Sequence, residues 1–224
     1  MWKYWGAALA LGTAAIPATA AAQAATPAEF HAGGINFTMP LPKGYCLPSA
    51  GASQSVAQLI SAADSENLTL LVLFDCTGTP GVDADYLVIK IPKPALMVEV
   101  TREQVIREVS AAVGTTEFKA ATAPDKINTD TAKSIGDVLN TEVKIDSAFA
   151  PSGHDDFCVY MQGIIVMGVA GKQVKVAAAG CVTGIGGRIL TIYRYGDGNV
   201  PGRVEALVPE VRALAESIAV KPVR

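Results

Sequence analysis

The chain has few of the residues from which catalytic and metal sites are usually built. It contains two histidines, His31 and His154, and four cysteines, no two of which are spaced as Cys-x-x-Cys. A structural zinc site takes about four Cys or His ligands, and thiol redox motifs use closely spaced cysteines. The Gly-x-Ser-x-Gly signature of a serine nucleophile is also missing. The sequence therefore predicts no metal and no cofactor, and it disfavours a disulfide oxidoreductase.

Beyond its first residues the chain also lacks a long apolar run. The most apolar stretch, residues 159–170, contains Gln162 and is much shorter than the ~20 residues that span a bilayer. The net charge of −3 offers no electrostatic attraction to nucleic acid or to anionic lipid. We expect no nucleic-acid partner and no membrane insertion of the mature protein.

The N-terminus carries the pattern of an export signal. Lys3 is its one charged residue, residues 6–17 are small and apolar, and Ala22-Gln23-Ala24 is the small-x-small pattern that signal peptidase cleaves. We predict a signal peptide over residues 1–24 and a periplasmic or secreted mature protein over residues 25–224. That length suits one hydrophobic core and is short for two, which predicts a single domain.

Export determines how the cysteines are interpreted, because disulfides persist outside the cytosol. We favour two bridges, Cys46–Cys76 and Cys158–Cys181. Residues 157–167 and 173–182 are typical of two strands of a hairpin. A turn centred between residues 169 and 170 would place Cys158 directly opposite Cys181, at a separation that a disulfide accepts. Four buried free thiols are the alternative.

Apolar periodicity predicts an α+β fold, because strands occur both between helices and in an uninterrupted meander. Strands are predicted at 35–39, 68–76, 86–91, 141–146, 157–167, 173–182 and 188–195. Helices are predicted at 53–63, at 101–113 behind a Thr101 capping box, and at 204–218. Residues 25–29 are expected to be a flexible start, and residues 115–140 to contain a strand or a short helix near 132–139. We predict a mainly antiparallel sheet with helices packed on it.

Two stretches resemble the PsbP/Mog1-like α/β/α sandwich proteins, which occur among exported bacterial proteins. One is Ile35-Asn36-Phe37-Thr38-Met39-Pro40 followed by Pro42-Lys43-Gly44-Tyr45, and the other is Tyr193-Arg194-Tyr195 leading into the terminal helix. The resemblance covers most of the mature chain as element order. It implies a non-catalytic module that binds or assists another protein, and it transfers no functional residue. The predicted disulfides depart from the family pattern.

One short segment contains the residue types of a catalytic site. His154, Asp155 and Asp156 follow Pro151-Ser152-Gly153 on a predicted polar loop. His154 could act as a general base or metal ligand with Asp155 or Asp156, in a small periplasmic hydrolase or transferase. We favour a solvated loop instead, because the side chains of adjacent residues tend to point apart.

Basic residues of the last strands form the remaining candidate surface. Lys172, Lys175, Arg188 and Arg194 are predicted to lie on one solvated sheet face, with an anion or partner site as the alternative. Gly184-Ile185-Gly186-Gly187 is predicted to be a hairpin turn rather than a phosphate cradle, because no helix follows it. The sequence as a whole favours an exported, soluble accessory or binding domain without catalytic activity. We expect its partner among the proteins of the cell envelope.

Overall fold

The computed structural model describes residues 26–49, 51–62, 64–77, 85–169 and 171–222. The predicted signal peptide, residues 1–24, lies outside this part of the chain. The strands within it are β1 (Ala28–Ala32), β2 (Ile35–Met39), β3 (Tyr45–Cys46), β4 (Asn67–Asp75), β5 (Tyr86–Pro92), β6 (Val143–Ser147), β7 (Ala150–His154), β8 (Val159–Val169), β9 (Lys172–Ile185), β10 (Arg188–Asp197) and β11 (Ala219–Val220). The helices are α1 (Ala52–Ala62), α2 (Arg102–Val113), α3 (Thr116–Ala121), α4 (Pro124–Leu139) and α5 (Arg203–Ser217).

Most strands form one antiparallel sheet in the order β3-β4-β5-β10-β9-β8-β6. Strand β7 pairs with β8 on the same side as β6, so the two short strands follow one another along one edge of β8. A smaller sheet has the order β1-β2-β11. The fold class is α+β, as predicted from the sequence.

The large sheet is the middle of three layers. The small sheet and α5 pack on one face. The small sheet buries Phe30, Phe37 and Met39 there, and α5 buries Leu207, Val211 and Ala215. On the other face, α1 packs its apolar residues Val56, Ala57 and Ile60 on β4 and β5. Helix α4 lies against β6 and α1 on that side. Because the sheet is covered on both faces, its central strands are almost continuously apolar.

Helix α2 begins where the sequence predicts. The Thr101 hydroxyl accepts a hydrogen bond from the Gln104 N–H at 3.2 Å, and the Gln104 side chain accepts one from the Thr101 N–H at 2.8 Å. This capping box satisfies donors that the first turn of a helix cannot pair internally. It fixes the point at which α2 crosses the sheet, above Gly184 of β9.

Three polar segments differ from the sequence prediction. Residues 115–140 form the two helices α3 and α4. The helix alternative near 132–139 is confirmed as the second half of α4, whereas the strand alternative is wrong. No residue of α4 is fully buried, and the helix contains few large apolar residues, so its packing on β6 is not evident from the sequence. The predicted flexible start contains part of β1, which is paired along β2. The predicted polar loop before residue 157 is largely β7.

Both disulfides join the cysteines that we paired from the sequence, with Cα–Cα distances of 5.2 Å. The register predicted for the second bridge is wrong, however. In the hairpin of β8 and β9, Cys181 lies opposite Tyr160 rather than Cys158. Cys158 precedes β8 and reaches Cys181 diagonally, because the turn is centred one residue later than predicted.

Candidate functional site

The structure separates the three residues of the predicted polar cluster. His154 is exposed at the end of β7, where it pairs with Val159 through the backbone. The Asp156 side chain is 90% exposed and lies 3.4 Å from an Arg212 nitrogen of α5. Asp155, by contrast, is partly buried and hydrogen-bonded, with 30% of its side chain exposed. The two carboxylates therefore share Arg212 as a partner, but the three side chains differ in exposure and surroundings.

Asp155 organises the turn that leads into β8. Its Oδ1 accepts hydrogen bonds from the N–H groups of Phe157 and Cys158, each at 2.8 Å, and its Oδ2 accepts one from the Tyr160 hydroxyl at 2.6 Å. The Arg212 guanidinium also contacts Oδ2, which ties the turn to α5. Four donors thus surround one carboxylate, and they leave it little capacity to bind a substrate or to accept a proton.

The electrostatics of Asp155 agree with this structural use. Desolvation of the carboxylate favours its neutral form, but the hydrogen bonds from Tyr160, Cys158 and Phe157 and the charge of Arg212 outweigh it. The pKa of Asp155 is therefore held below its ordinary value. Burial and the adjacent carboxylate raise the pKa of the Tyr160 hydroxyl to about 12. At neutral pH the pair is an ionised acceptor and a neutral donor.

Phe157 connects the same turn to two helices. The Arg102 guanidinium carbon of α2 lies 3.8 Å from the centre of the Phe157 ring, and that of Arg212 lies 5.9 Å from it. Cations near an aromatic face are attracted by the ring quadrupole. Arg102 belongs to α2 and Arg212 to α5, so the Phe157 ring contacts cations of both helices at the edge of the large sheet.

Arg188 at the start of β10 is buried, with 5% of its surface exposed, which contradicts the predicted solvated surface. Its Nε and Nη2 donate to the Gly33 carbonyl oxygen of the β1–β2 turn, at 3.2 and 2.7 Å. Its Nη1 donates to the carbonyls of Val98 and Gly187, at 3.3 and 3.2 Å. Glu99, an exposed residue, lies 3.7 Å away. One guanidinium thereby holds three loops together at this end of the molecule.

Side chains around Arg188 form an exposed apolar surface. We call it the apolar end: Met97, Val98 and Val220, which are 70%, 45% and 45% exposed. The segment of Met97 and Val98 is tied to the β9–β10 turn by the bond from the Val100 N–H to the Gly187 oxygen, at 3.1 Å. Val220 borders the same turn, since a Cβ on Gly186 would collide with it. The segment of Met97 and Val98 and the residue Val220 therefore both lie beside the Gly186-Gly187 turn.

Arg194, near the other end of β10, is also buried rather than solvated, with 7% exposed. Its Nη1 donates to the Tyr195 carbonyl at 2.8 Å and to the Tyr86 carbonyl at 3.3 Å. Its guanidinium lies 4.6 Å from the ring centre of Tyr45. Burial raises the pKa of the Tyr45 hydroxyl to about 12, so this tyrosine remains neutral beside the cation.

Two carboxylates and a second arginine complete the group around Arg194. Glu210 lies 3.3 Å from Arg194 and 2.8 Å from Arg203, and Asp85 lies 3.6 and 3.0 Å from the same two residues. Two positive and two negative charges balance within the cluster. It joins the start of β5 to β10 and α5, and it leaves no net charge for an anionic ligand. Lys172 and Lys175, the other basic residues of the predicted surface, are exposed.

Sequence reasoning placed Arg188 and Arg194 in solvent because arginine is rarely buried. A signal for their burial was present, since both residues alternate with Leu190 and Ile192 on one face of β10. A strand places every second side chain on the same face, so arginines in phase with a buried apolar row are expected to be buried.

Two further properties limit the chemistry of the described residues. Across residues 26–49, 51–62, 64–77, 85–169 and 171–222 there is no group of three or more His, Cys, Asp or Glu side chains able to hold a metal ion. Within the same ranges, every helix is too short or too polar to cross a bilayer.

Comparison with known proteins gives a resemblance among solved structures. No family model matches the chain, and no curated protein matches it. Among solved structures, the solution structure of cyanobacterial PsbP (CyanoP) from Synechocystis sp. PCC 6803 matches with 15% sequence identity and a TM-score of 0.42. The match covers 94% of this chain and 99% of that chain. The chain thus has a weak PsbP-like resemblance.

Proposed function

We propose that this protein is an exported accessory domain that binds another protein of the cell envelope and performs no chemistry of its own. The apolar end carries the proposal. Exposed apolar groups that lie together mark sites of protein association more often than single exposed residues do. Here Met97, Val98 and Val220 lie around the β9–β10 turn, and Met97 is the most exposed large apolar residue in the described part of the chain.

The way in which this end is held favours binding as its role. Arg188 donates hydrogen bonds to carbonyls of three loops, and its own side chain is 6% exposed. Its guanidinium therefore interacts with the backbone of these loops rather than with solvent. A surface whose loops are already ordered loses less conformational entropy when a partner binds. Buried arginine and exposed methionine therefore have complementary roles: one fixes the loops, and the other offers an adaptable apolar contact.

Export is supported by the two disulfides and by the sequence pattern of residues 1–24. Both bridges join segments more than twenty residues apart, with separations of 30 and 23. Disulfides of this kind are stable in the periplasm or outside the cell and rare in the cytosol. Mass spectrometry of the protein from the envelope fraction should find an N-terminus near Ala25 and no free thiol. An intact Met1 with reduced cysteines would contradict export.

Site-specific photocrosslinking in the source cells tests the binding surface. A photoreactive residue at position 97 should give a discrete heavier adduct with a second protein. The matched control is position 200, because Val200 is 50% exposed and lies beyond the opposite end of β10. Substitution of Val98 by Asp in the position-97 protein should abolish the adduct, whereas Val200→Asp should not. Equal labelling from positions 97 and 200 would reject the apolar end as the binding surface.

The non-catalytic part of the proposal needs a separate test. His154→Ala removes the one imidazole of the polar segment at an exposed site, where we expect the substitution to leave folding unaffected. We expect the folded variant to support the same cellular function as the wild type. Loss of function in a folded His154→Ala protein that retains the position-97 adduct would favour the hydrolase or transferase alternative.

A further inference from the structure

The large sheet ends at β6, and no strand in the part of the chain that the structure describes pairs with the outer side of β6. The Ala148 N–H donates to the Ile164 oxygen of β8 at 2.9 Å. Antiparallel pairs alternate between bonded and non-bonded positions. Lys144 and Asp146 therefore direct their backbone groups towards β8, whereas Val143, Ile145 and Ser147 direct theirs outwards. The outer side of β6 is thus a row of backbone donors and acceptors open to another strand.

The described residues leave open space beside this edge. An open groove of about 1000 Å³ lies between α4 and β6, and a second of about 440 Å³ lies against β6, β8 and the β8–β9 turn. The opposite edge of the sheet differs, because β3 is two residues long and is followed by Pro48. Short edge strands and prolines discourage pairing with another chain. The β6 edge has neither protection.

Charged side chains also protect sheet edges, and β6 carries two, Lys144 and Asp146, which are both exposed. Their order along the strand makes them favourable, rather than protective, when the partner strand is a second copy of β6. If a second β6 strand runs antiparallel with Ile145 opposite its own copy, Lys144 of each chain lies opposite Asp146 of the other. Opposite charges at facing positions stabilise a pair of strands. The two Lys144–Asp146 contacts are identical by symmetry.

The same register satisfies the backbone. It places Val143 opposite Ser147 and Ile145 opposite Ile145, so that every outward-directed residue faces another outward-directed residue. Each such pair exchanges two hydrogen bonds in an antiparallel ladder. Centring the pairing on Lys144 or Asp146 would instead place like charges opposite one another. The register centred on Ile145 is the one that uses all five residues of β6.

We propose that the β6 edge pairs antiparallel with the β6 edge of a second copy of this chain, which joins the two large sheets across a two-fold axis. The interface is isologous, as expected for a symmetric homodimer. It lies on the β6 side of the large sheet and uses none of the residues of the apolar end. Dimerisation is thus independent of the binding function proposed above, and it would present two copies of the apolar end.

Charge reversal at the edge tests the proposal by sedimentation equilibrium of the mature, disulfide-bonded protein. Lys144→Asp places two carboxylates opposite each other at both symmetric contacts and should raise the dimer Kd roughly tenfold or more. Asp146→Lys should do the same with two cations. The double variant Lys144→Asp with Asp146→Lys restores both opposite-charge pairs and should restore the wild-type Kd. Because both side chains are exposed, these changes leave the fold intact.

A crosslinking experiment tests the register directly. In the described part of the chain all four cysteines are bridged, so an introduced cysteine supplies the one free thiol there. Ile145→Cys should form an interchain disulfide on mild oxidation, since directly opposed strand residues fall within disulfide range. Lys144→Cys, one position away and opposite Asp146 in the dimer, should crosslink much more slowly.

Three results would overturn the proposal. A wild-type protein that stays monomeric at high concentration would show that β6 does not pair with a second copy of this chain. Single charge reversals that do not change the Kd, or a double variant that fails to recover it, would place the dimer contact elsewhere. Equal crosslinking at positions 144 and 145 would reject the register.

Discussion

The guanidinium of Arg188 and the carbonyl oxygen of Gly33 are joined by two hydrogen bonds across 155 positions of the chain. They tie the small sheet to the start of β10. Gly33 has a φ of 53° and lies against Arg188 and the Leu96 carbonyl, where a side chain would collide with both. A glycine turn and a buried cation thus form one joint, and neither residue can be changed without loss of the contact.

Replacement of Arg188 should destabilise the protein strongly. Arg188→Ala leaves carbonyls of Gly33, Val98 and Gly187 without their donor, and a buried acceptor left unpaired costs about 1–3 kcal/mol. Because three such acceptors lose their donor together, we expect a loss of about 3–5 kcal/mol in the free energy of unfolding, measured by urea denaturation. Arg107→Ala is the control, because Arg107 is 66% exposed in its ion pair with Glu108 and should change stability by less than about 0.5 kcal/mol. Similar losses in both variants would contradict the role of Arg188.

The Asp155 carboxylate should contribute stability that depends on pH. Asp155→Asn weakens the contacts with Tyr160 and Arg212, which should lower the unfolding free energy at pH 7 by about 1.5–3 kcal/mol. Because the folded-state pKa lies below the unfolded value, this contribution is complete above the unfolded pKa of ~3.9 and is lost as pH falls through the folded pKa. The difference between wild type and variant should therefore be constant near neutrality and shrink below about pH 4.

The neighbouring carboxylate provides the control for that experiment. Asp156→Asn removes a charge from a side chain that is 90% exposed and has one long contact with Arg212. It should change stability by less than about 0.5 kcal/mol at any pH in the same titration. If Asp156→Asn matched Asp155→Asn, general charge repulsion rather than the hydrogen bonds of Asp155 would explain the effect.

The parts of the fold that sequence predicted well are those that local patterns specify. The capping box of Thr101 and Gln104 fixes the start of α2 without help from other elements. The apolar run of β4 reports burial on both faces of a sheet. By contrast, Arg188 and Asp155 owe their roles to partners brought in by the fold, such as Gly33 and Arg212. The sequence shows that these residues are charged, but their partners can be identified only in the folded structure.

The polar helices illustrate the same limit. Helix α4 has no fully buried residue, although it packs along β6. Ser147 of β6 donates to the Asn128 side chain of α4 at 2.6 Å, and Gly136 allows close approach of the Thr141 carbonyl. These contacts are polar or depend on the absence of a side chain. Neither kind of contact leaves a periodic apolar signal in the sequence.

Gly184 should tolerate no side chain, although its backbone conformation is ordinary. A Cβ at this position would lie 2.8 Å from the Arg102 Cα and 2.9 Å from the Arg102 nitrogen, and backbone atoms of α2 cannot rotate away. Gly184→Ala should therefore displace the start of α2 and cost about 1–3 kcal/mol, as overpacking typically does. Gly168→Ala is the control in β8, because its nearest contacts are 3.7 and 3.9 Å and it should be close to neutral. Urea denaturation measures both, and a neutral Gly184→Ala would show that α2 is not seated on β9.

The two disulfides should differ sharply in their accessibility to reductant. Cys46 and Cys76 are both exposed, whereas Cys158 and Cys181 have no exposed surface and lie in the main core. Thiol–disulfide exchange requires access of the attacking thiolate to a sulfur. A mild thiol reductant under native conditions should open the first bridge and leave the second intact until the protein unfolds. Alkylation followed by peptide mass spectrometry identifies which cysteines have reacted. Simultaneous labelling of all four cysteines in folded protein would contradict the burial of the second bridge. Labelling of Cys158 and Cys181 first would show that the second bridge is the more accessible one.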